Sequence, residues 1–243
     1  MASNLAPNWG SRVGSVSGLW RYPVKSMAAA PLARAQLSWA GVSGDRRWAF
    51  VRAGAEQNGF PWHTIRDHPL MCRYTPHLMD PDRPDKSDIN VQTPNGDTFS
   101  VHDPASAAEL GPGVRVMRMD RGIFDALPLS LITTRTVSAL CALTHVPCSQ
   151  RRFRPNVVIA STEDRPFVED EWVGSTLHIG EAVVRVDARD GRCVVVDVDP
   201  DSGCVDASLL KVIGRLRQAR AGVYGTIVQP GLVRIGDPVR VAD

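Results

Sequence analysis

Short apolar runs, each stopped within a few residues by glycine, proline or a small polar cluster, leave this chain little room for long helices. Twenty glycines and eighteen prolines divide its 243 residues at intervals that suit strands. Residues 13–22, 30–40, 47–52, 114–119, 157–159, 176–179 and 181–188 read as strands. The stretch 89–101 alternates around Pro94-Asn95-Gly96-Asp97, a hairpin signal. Two more strands flank Pro230-Gly231, and Gly236-Asp237 turns into a last short one. Residues 104–114 form a short spacer, helical in character, that ends in Gly-Pro-Gly. Helices are predicted over 136–143, capped by Thr133 or Thr134, and over 208–220. The fold class that follows is mostly β with a few helices (α+β), built on a β-barrel.

Composition narrows the function. Hydrophobic residues at 43% and charged residues at 22% describe an ordinary globular protein with a sizeable core, as one large domain or two intimate ones. A net charge of +2 gives no support for a nucleic-acid partner. No apolar run reaches membrane-spanning length, so no membrane association is expected. Residues 1–12 lack the basic start and apolar centre of a signal peptide and read as a loose tail. Five cysteines without a Cys-x-x-Cys pair suggest a reduced, cytoplasmic protein. There is no Gly-x-Gly-x-x-Gly, Walker loop, His-Glu-x-x-His or nucleophile elbow, which argues against the commonest nucleotide-binding, protease and hydrolase classes.

Four stretches carry candidate chemistry. Cys193 follows Arg192 and opens the run Val194-Val195-Val196-Asp197-Val198, which alternates like a buried strand before an Asp-Pro-Asp-Ser-Gly turn. A neighbouring guanidinium favours thiolate, so Cys193 is a candidate nucleophile or soft-metal ligand; the alternative is a small buried hydrophobe. Lys25 and Ser26, in Tyr22-Pro23-Val24-Lys25-Ser26-Met27, offer a cation and a hydroxyl to an oxyanion, or form a solvated turn. Arg46 in Gly44-Asp45-Arg46-Arg47-Trp48 could clamp an anion with Asp45 behind it, or pair at the surface. Arg151, Arg152, Arg154 and Asn156 precede an apolar strand and suit an oxyanion or a heterocycle edge, or form a solvated basic patch. His63, His68, Cys72 and His77 invite a zinc reading, but their intervals do not fit zinc spacings and Pro69 and Pro76 interrupt any aligning helix.

Taken in order, these stretches resemble one family. Tyr22-Pro23-Val24-Lys25-Ser26-Met27, Gly44-Asp45-Arg46-Arg47-Trp48, Arg152-Phe153-Arg154-Pro155-Asn156-Val157-Val158, Arg192-Cys193 with Val198-Asp199-Pro200-Asp201-Ser202-Gly203, and the closing Gly231 to Val239 segment are similar to the MOSC proteins. These are named for the C-terminal domain of molybdenum-cofactor sulfurase. The resemblance implies a two-part chain: a tail over 1–12, an N-terminal β-barrel-like domain over 13–112, and a MOSC β-barrel over 113–243 packed against it. It implies a molybdenum cofactor (Mo-molybdopterin) with Cys193 as metal ligand and catalytic centre. Lys25, Ser26, Arg46, Arg154, Asn156 and Tyr224 would bind that cofactor. The activity implied is an oxidoreductase acting on small N-oxygenated compounds such as hydroxylamines or amidoximes. No iron–sulfur segment precedes Asp243, so the electron donor is expected to be a separate protein. A sulfur or cofactor carrier, using a Cys193 persulfide or thiolate without turnover, is the alternative. Amidoxime-reducing relatives usually carry Thr-Thr after the cysteine segment where this chain has Val196-Asp197, and a buried acid there would alter the electrostatics of a metal site.

Overall fold

A computed structural model describes residues 10–55, 59–147 and 149–242. Most of the predicted tail, together with Cys148 and Asp243, lies outside the described residues; Ser11 and Arg12 are already strand, paired with Val241 and Arg240. In chain order the strands of the first part are β1 (Ser11–Arg21), β2 (Ala30–Pro31), β3 (Arg34–Ser38), β4 (Gly41–Val42), β5 (Trp48–Val51), β6 (Trp62–His63), β7 (Thr75–Leu78), β8 (Ile89–Gln92) and β9 (Thr98–Ser100). Helix α1 (Pro104–Leu110) and strand β10 (Arg115–Arg118) follow. The second part holds β11 (Leu129–Thr133), α2 (Thr134–Ala142), β12 (Val157–Ser161), β13 (Thr176–Ile179), β14 (Ala182–Gly191), α3 (Ser208–Arg217), β15 (Arg220–Gln229), β16 (Gly231–Arg234) and β17 (Pro238–Val241). The protein is mostly β, as its punctuation predicts. Among the described residues no helix is long and apolar enough to cross a membrane.

Seven strands close a barrel in the order β12, β11, β15, β14, β13, β17, β1. Strand β1 completes it, pairing antiparallel with β17 along one edge and with β12 along the other. Alternate residues point inward: Leu129 and Leu131, Val157 and Ile159, Leu177 and Ile179, Val184 and Val186 share one core. The outward Ile132 and Val158 are buried too, because α2 and α3 cover that face with Leu140, Leu209 and Ile213. Burial on both faces explains why Val157-Val158-Ile159 is a continuous apolar run. A second core gathers Val24, Met27, Trp48, Phe50, Met71, Ile89 and Val91. Three small sheets stand beside the barrel: β10-β5-β6, β16-β3-β4 and β7-β8-β9. The Asn-Gly hairpin forms as read, with Gln92 opposite Thr98 and Gly96 at φ +97°.

One local reading of secondary structure needs correction. Residues 194–198 are not a strand but a single 3₁₀ turn (Val194–Asp197). Their valines serve different neighbours: Val196 packs with α2 and α3, whereas Val195 and Val198 pack into the second core. The turn lets one short apolar run reach both cores. The strands flanking Pro230 form as read, and β16 crosses to pair with β3.

Arg192 is a second correction in kind, because its guanidinium is engaged within the fold. Nε donates to the Ala221 carbonyl at 2.7 Å and Nη1 to the Phe153 carbonyl at 2.7 Å, while Nη2 lies 2.8 Å from the buried Asp190. Gly222, at φ +75°, leaves the room that this guanidinium needs; a Cβ there would stand 3.0 Å from Nη2. Burial pushes the Asp190 carboxyl up, opposed by Arg192 and Ser130. Arg192→Leu should therefore destabilise the fold by about 3–5 kcal/mol, the usual cost of stranding one partner of a buried ion pair. Without Arg192 the folded-state value of Asp190 rises further above its unfolded one. A group that holds its proton more tightly when folded loses stability as pH rises through that window. Urea unfolding should accordingly show a larger deficit for the variant near about pH 8 than near about pH 5.

Candidate functional site

The register of the barrel brings the candidate residues together. Leu19 of β1 lies opposite Val157 of β12, so the chain leaving β1 and the chain entering β12 are neighbours. Trp20 N–H donates to the Asn156 carbonyl at 2.9 Å, and the Asn156 amide donates back to the Trp20 carbonyl at 3.2 Å. One cleft at this end is lined by all seven residues singled out from sequence: Lys25, Ser26, Arg46, Arg154, Asn156, Cys193 and Tyr224. Arg66, Asp125, Ser130 and Asp190 line it as well. Among the described residues the lining holds six cationic side chains and two carboxylates, an environment that favours anions.

Three of these residues sit in the left-handed backbone region without being glycine: Ser26 at φ 70°, Arg46 at φ 49° and Arg154 at φ 49°. Such strain collects at binding sites, where the surrounding fold has to hold it. Arg46 pairs with Asp45, which is fully buried, and its Nη2 donates to the Arg154 carbonyl at 3.1 Å. Arg154 donates Nη1 to the Met27 carbonyl at 2.9 Å, and its Nη2 is buried without a partner. Asn156 is 1% exposed; its Oδ1 accepts from Ser130 N–H at 3.3 Å and from Arg46 Nη1 at 3.4 Å. It supports Arg46 and leaves little of its own amide for a ligand. Tyr224 lies beside Asp190; burial pushes its phenol up, and Asp190 adds to the shift.

The cation on the thiol is Arg66, not the adjacent Arg192. Arg66 Nη2 donates to Cys193 Sγ at 3.1 Å and to Asp125 Oδ2 at 3.2 Å. Asp125 in turn pairs through Oδ1 with Lys25, whose Nζ also donates to the Ile123 carbonyl at 3.1 Å. The result is one continuous polar chain, Lys25–Asp125–Arg66–Cys193. Burial pulls the Lys25 ammonium down, partly offset by Asp125. Burial also pushes the Asp125 carboxyl up, but Lys25 and Arg66 outweigh it and hold the acid below its ordinary range. Burial works against the Arg66 cation, and Cys193 and Asp125 more than restore it. Arg66 stands within Thr64-Ile65-Arg66-Asp67-His68, a stretch whose histidines draw the attention and whose arginine does the contacting.

Asp197 does not face the cleft. Its Oδ1 accepts from Leu210 N–H at 2.8 Å and caps the start of α3. Cys72, from the rejected zinc cluster, is buried, and its Sγ lies 3.4 Å from the Asp199 carbonyl. Burial pushes that thiol up to about 11. Among the described residues no three His, Cys, Asp or Glu side chains converge as a metal-holding group.

Comparison with known proteins gives a consistent set of relatives. A model of the MOSC N-terminal β-barrel domain matches residues 13–126, and a model of the MOSC domain matches residues 121–240. The mitochondrial amidoxime-reducing component 1 of Homo sapiens is 23% identical over 290 aligned positions, covering 94% of this chain and 83% of that protein. Its counterpart from Xenopus laevis is 30% identical over 128 residues, covering 47% of this chain and 36% of that protein, so this match spans about a third of the relative's length. Among solved structures, the YUAD protein of Bacillus subtilis superposes with a TM-score of 0.51 at 13% identity, over 93% of this chain and 94% of that one, a likeness of fold. Two adjoining domain matches that together run from residue 13 to residue 240, in the order the motifs predict, make this chain a member of the MOSC family in its two-domain form.

Proposed function

We propose that the cleft holds a molybdenum cofactor and that the protein is an oxidoreductase for small N-oxygenated compounds. The observation that carries this reading is the convergence, in one cleft, of a half-exposed thiol, a buried guanidinium nitrogen without a partner, and an excess of cations. The donor set fits the group. A phosphate needs fixed cations and donors, which Lys25, Ser26, Arg46 and Arg154 would supply, with Asn156 holding Arg46. Tyr224 and Asp190 would border the pterin. A single thiolate cannot hold a metal by itself but can add one soft ligand to a metal that arrives with its own, and Cys193 would do so. When bound, the metal supplies the two-electron chemistry that cleaves an N–O bond, a reduction that consumes two electrons and two protons and releases water.

The chain's own residues bind and orient. Arg66, through its hydrogen bond to Sγ, keeps the Cys193 sulfur directed into the cleft. Asp125 holds Arg66 in place and ties it to Lys25, so the thiol end and the phosphate end of the cleft are fixed to each other. Phe124, Leu127, Phe153 and Val195 give the same cleft apolar walls, which suit the organic part of a small substrate. The relatives named amidoxime-reducing components support N-oxygenated substrates for this chain. We further propose a separate electron-donor protein and a cytoplasmic setting that keeps Cys193 reduced.

Purified from a host that makes the cofactor, the protein should carry about one molybdenum and one pterin per chain, and Cys193→Ser should lose N-hydroxylamine reduction while keeping its melting temperature. A folded preparation with a metal ratio near zero and a persulfide on Cys193 by intact mass would establish the carrier reading in its place. Arg66→Gln should lower turnover by about tenfold or more, the worth of a hydrogen bond to a charged group, while pterin content stays within about twofold of wild type. Equal turnover in Arg66→Gln and wild type would remove Arg66 from the machinery.

A further inference from the structure

Tyr22 follows the last residue of β1 and is fully buried. Its main chain is engaged on both sides: its N–H donates to Asp45 Oδ1 at 2.7 Å, and its carbonyl accepts from Arg46 N–H at 2.6 Å. Its ring lies 4.7 Å from the Arg46 guanidinium and 4.3 Å from that of Arg154. The phenol oxygen, by contrast, is buried with no hydrogen-bond partner. The ring, then, is the part of this side chain in use.

The two guanidiniums it touches are balanced differently. Arg46 is paired with Asp45. Among the described residues no carboxylate pairs with Arg154, and its Nη2 makes no bond at all. Burial pulls Arg154 down to about 10 and Arg46 adds to the pull, yet the group stays charged at neutral pH. A carboxylate in the place of the ring would compete with any anionic ligand for the N–H groups of Arg154. An aromatic face stabilises a desolvated cation and leaves its donors free.

We propose that Tyr22 is a positioning residue whose aromatic face holds Arg46 and Arg154 side by side, leaving Arg154 Nη2 available to a dianionic, phosphate-type group. The proposal rests on the anion-binding reading of the cleft, and its test separates the two. Tyr22 is replaced by phenylalanine, by 4-fluoro-, 3,5-difluoro- and 3,4,5-trifluorophenylalanine, and by leucine, each in the full chain. Binding of radiolabelled inorganic phosphate to the cofactor-free protein is measured by equilibrium dialysis, with melting temperature as the check on folding. Tyr22→Phe should bind phosphate within about threefold of wild type, since the hydroxyl is unused. Affinity should fall stepwise with fluorination, which drains the ring face at nearly constant size, and reach about tenfold or more for the trifluoro ring. Tyr22→Leu should show a loss of the same order. A flat series that binds as wild type overturns the role of Tyr22 and leaves the anion site standing. Loss of binding in Tyr22→Phe overturns it in favour of the hydroxyl. Failure of wild type to bind phosphate overturns both the proposal and the reading beneath it.

Discussion

Closure of the barrel by β1 is the constraint from which the site follows. That strand is hydrogen-bonded on both edges, to β12 and to β17, so its register admits little slippage without disrupting two ladders at once. Because β1 runs antiparallel to β12, its exit and the entrance to β12 share one end of the barrel. Residues 22–27 and 152–156, far apart in the chain, are thereby obliged to meet. The Trp20–Asn156 pair of hydrogen bonds is the seam between them. Cys193 reaches the same end by another route, carried by β14 and then pinned by valines that enter two different cores.

A cleft with this many cations stays folded because its charges are linked rather than merely numerous. Arg152 is held by Asp199, Arg192 by Asp190, and Arg46 by Asp45. The first two pairs tie Arg152 and Arg192 into the fold, while Arg46, with Asp45 behind it, still lines the cleft beside Lys25, Arg66 and Arg154. Lys25 and Arg66 share one carboxylate, and Arg154 has the face of Tyr22. An incoming anion therefore meets groups already desolvated and oriented, which is the condition under which electrostatic contacts are strongest.

Much of this was legible in the sequence, and the part that was not has a physical reason. The Asn-Gly hairpin, the Thr133 cap and the strands at 157–161 and 176–179 declare themselves because turn and cap chemistry is local. The anion-binding loops could be read as residue types in fixed motifs. The partner of Cys193 could not, because proximity in sequence pointed to Arg192, whereas the contact at 3.1 Å comes from Arg66, 127 residues away. Nor does any local signal announce that a serine and two arginines adopt positive φ, since those residues have no preference for that region. The valines after Cys193 misled for a related reason. The alternation there does not mark the two faces of a strand: Val195 and Val198 enter one core, Val196 enters another and Val194 is exposed, all around a single 3₁₀ turn.

The same geometry decides what Asp197 means. The resemblance set out from the sequence expects threonine at this position, and an acid there would be expected to alter the charge around the thiol. The 3₁₀ turn rotates it away instead. Its carboxylate accepts from Leu210 N–H, and its carbonyl accepts from Arg152 Nη1 at 3.3 Å and from Asp206 N–H at 3.0 Å. Burial pushes this acid up from its ordinary value, and the backbone N–H groups at the start of α3 work against that shift. Asp197 thus ties the cysteine turn to α3. The charge at the thiol itself is that of Arg66, which contacts Cys193 and is itself held by Asp125.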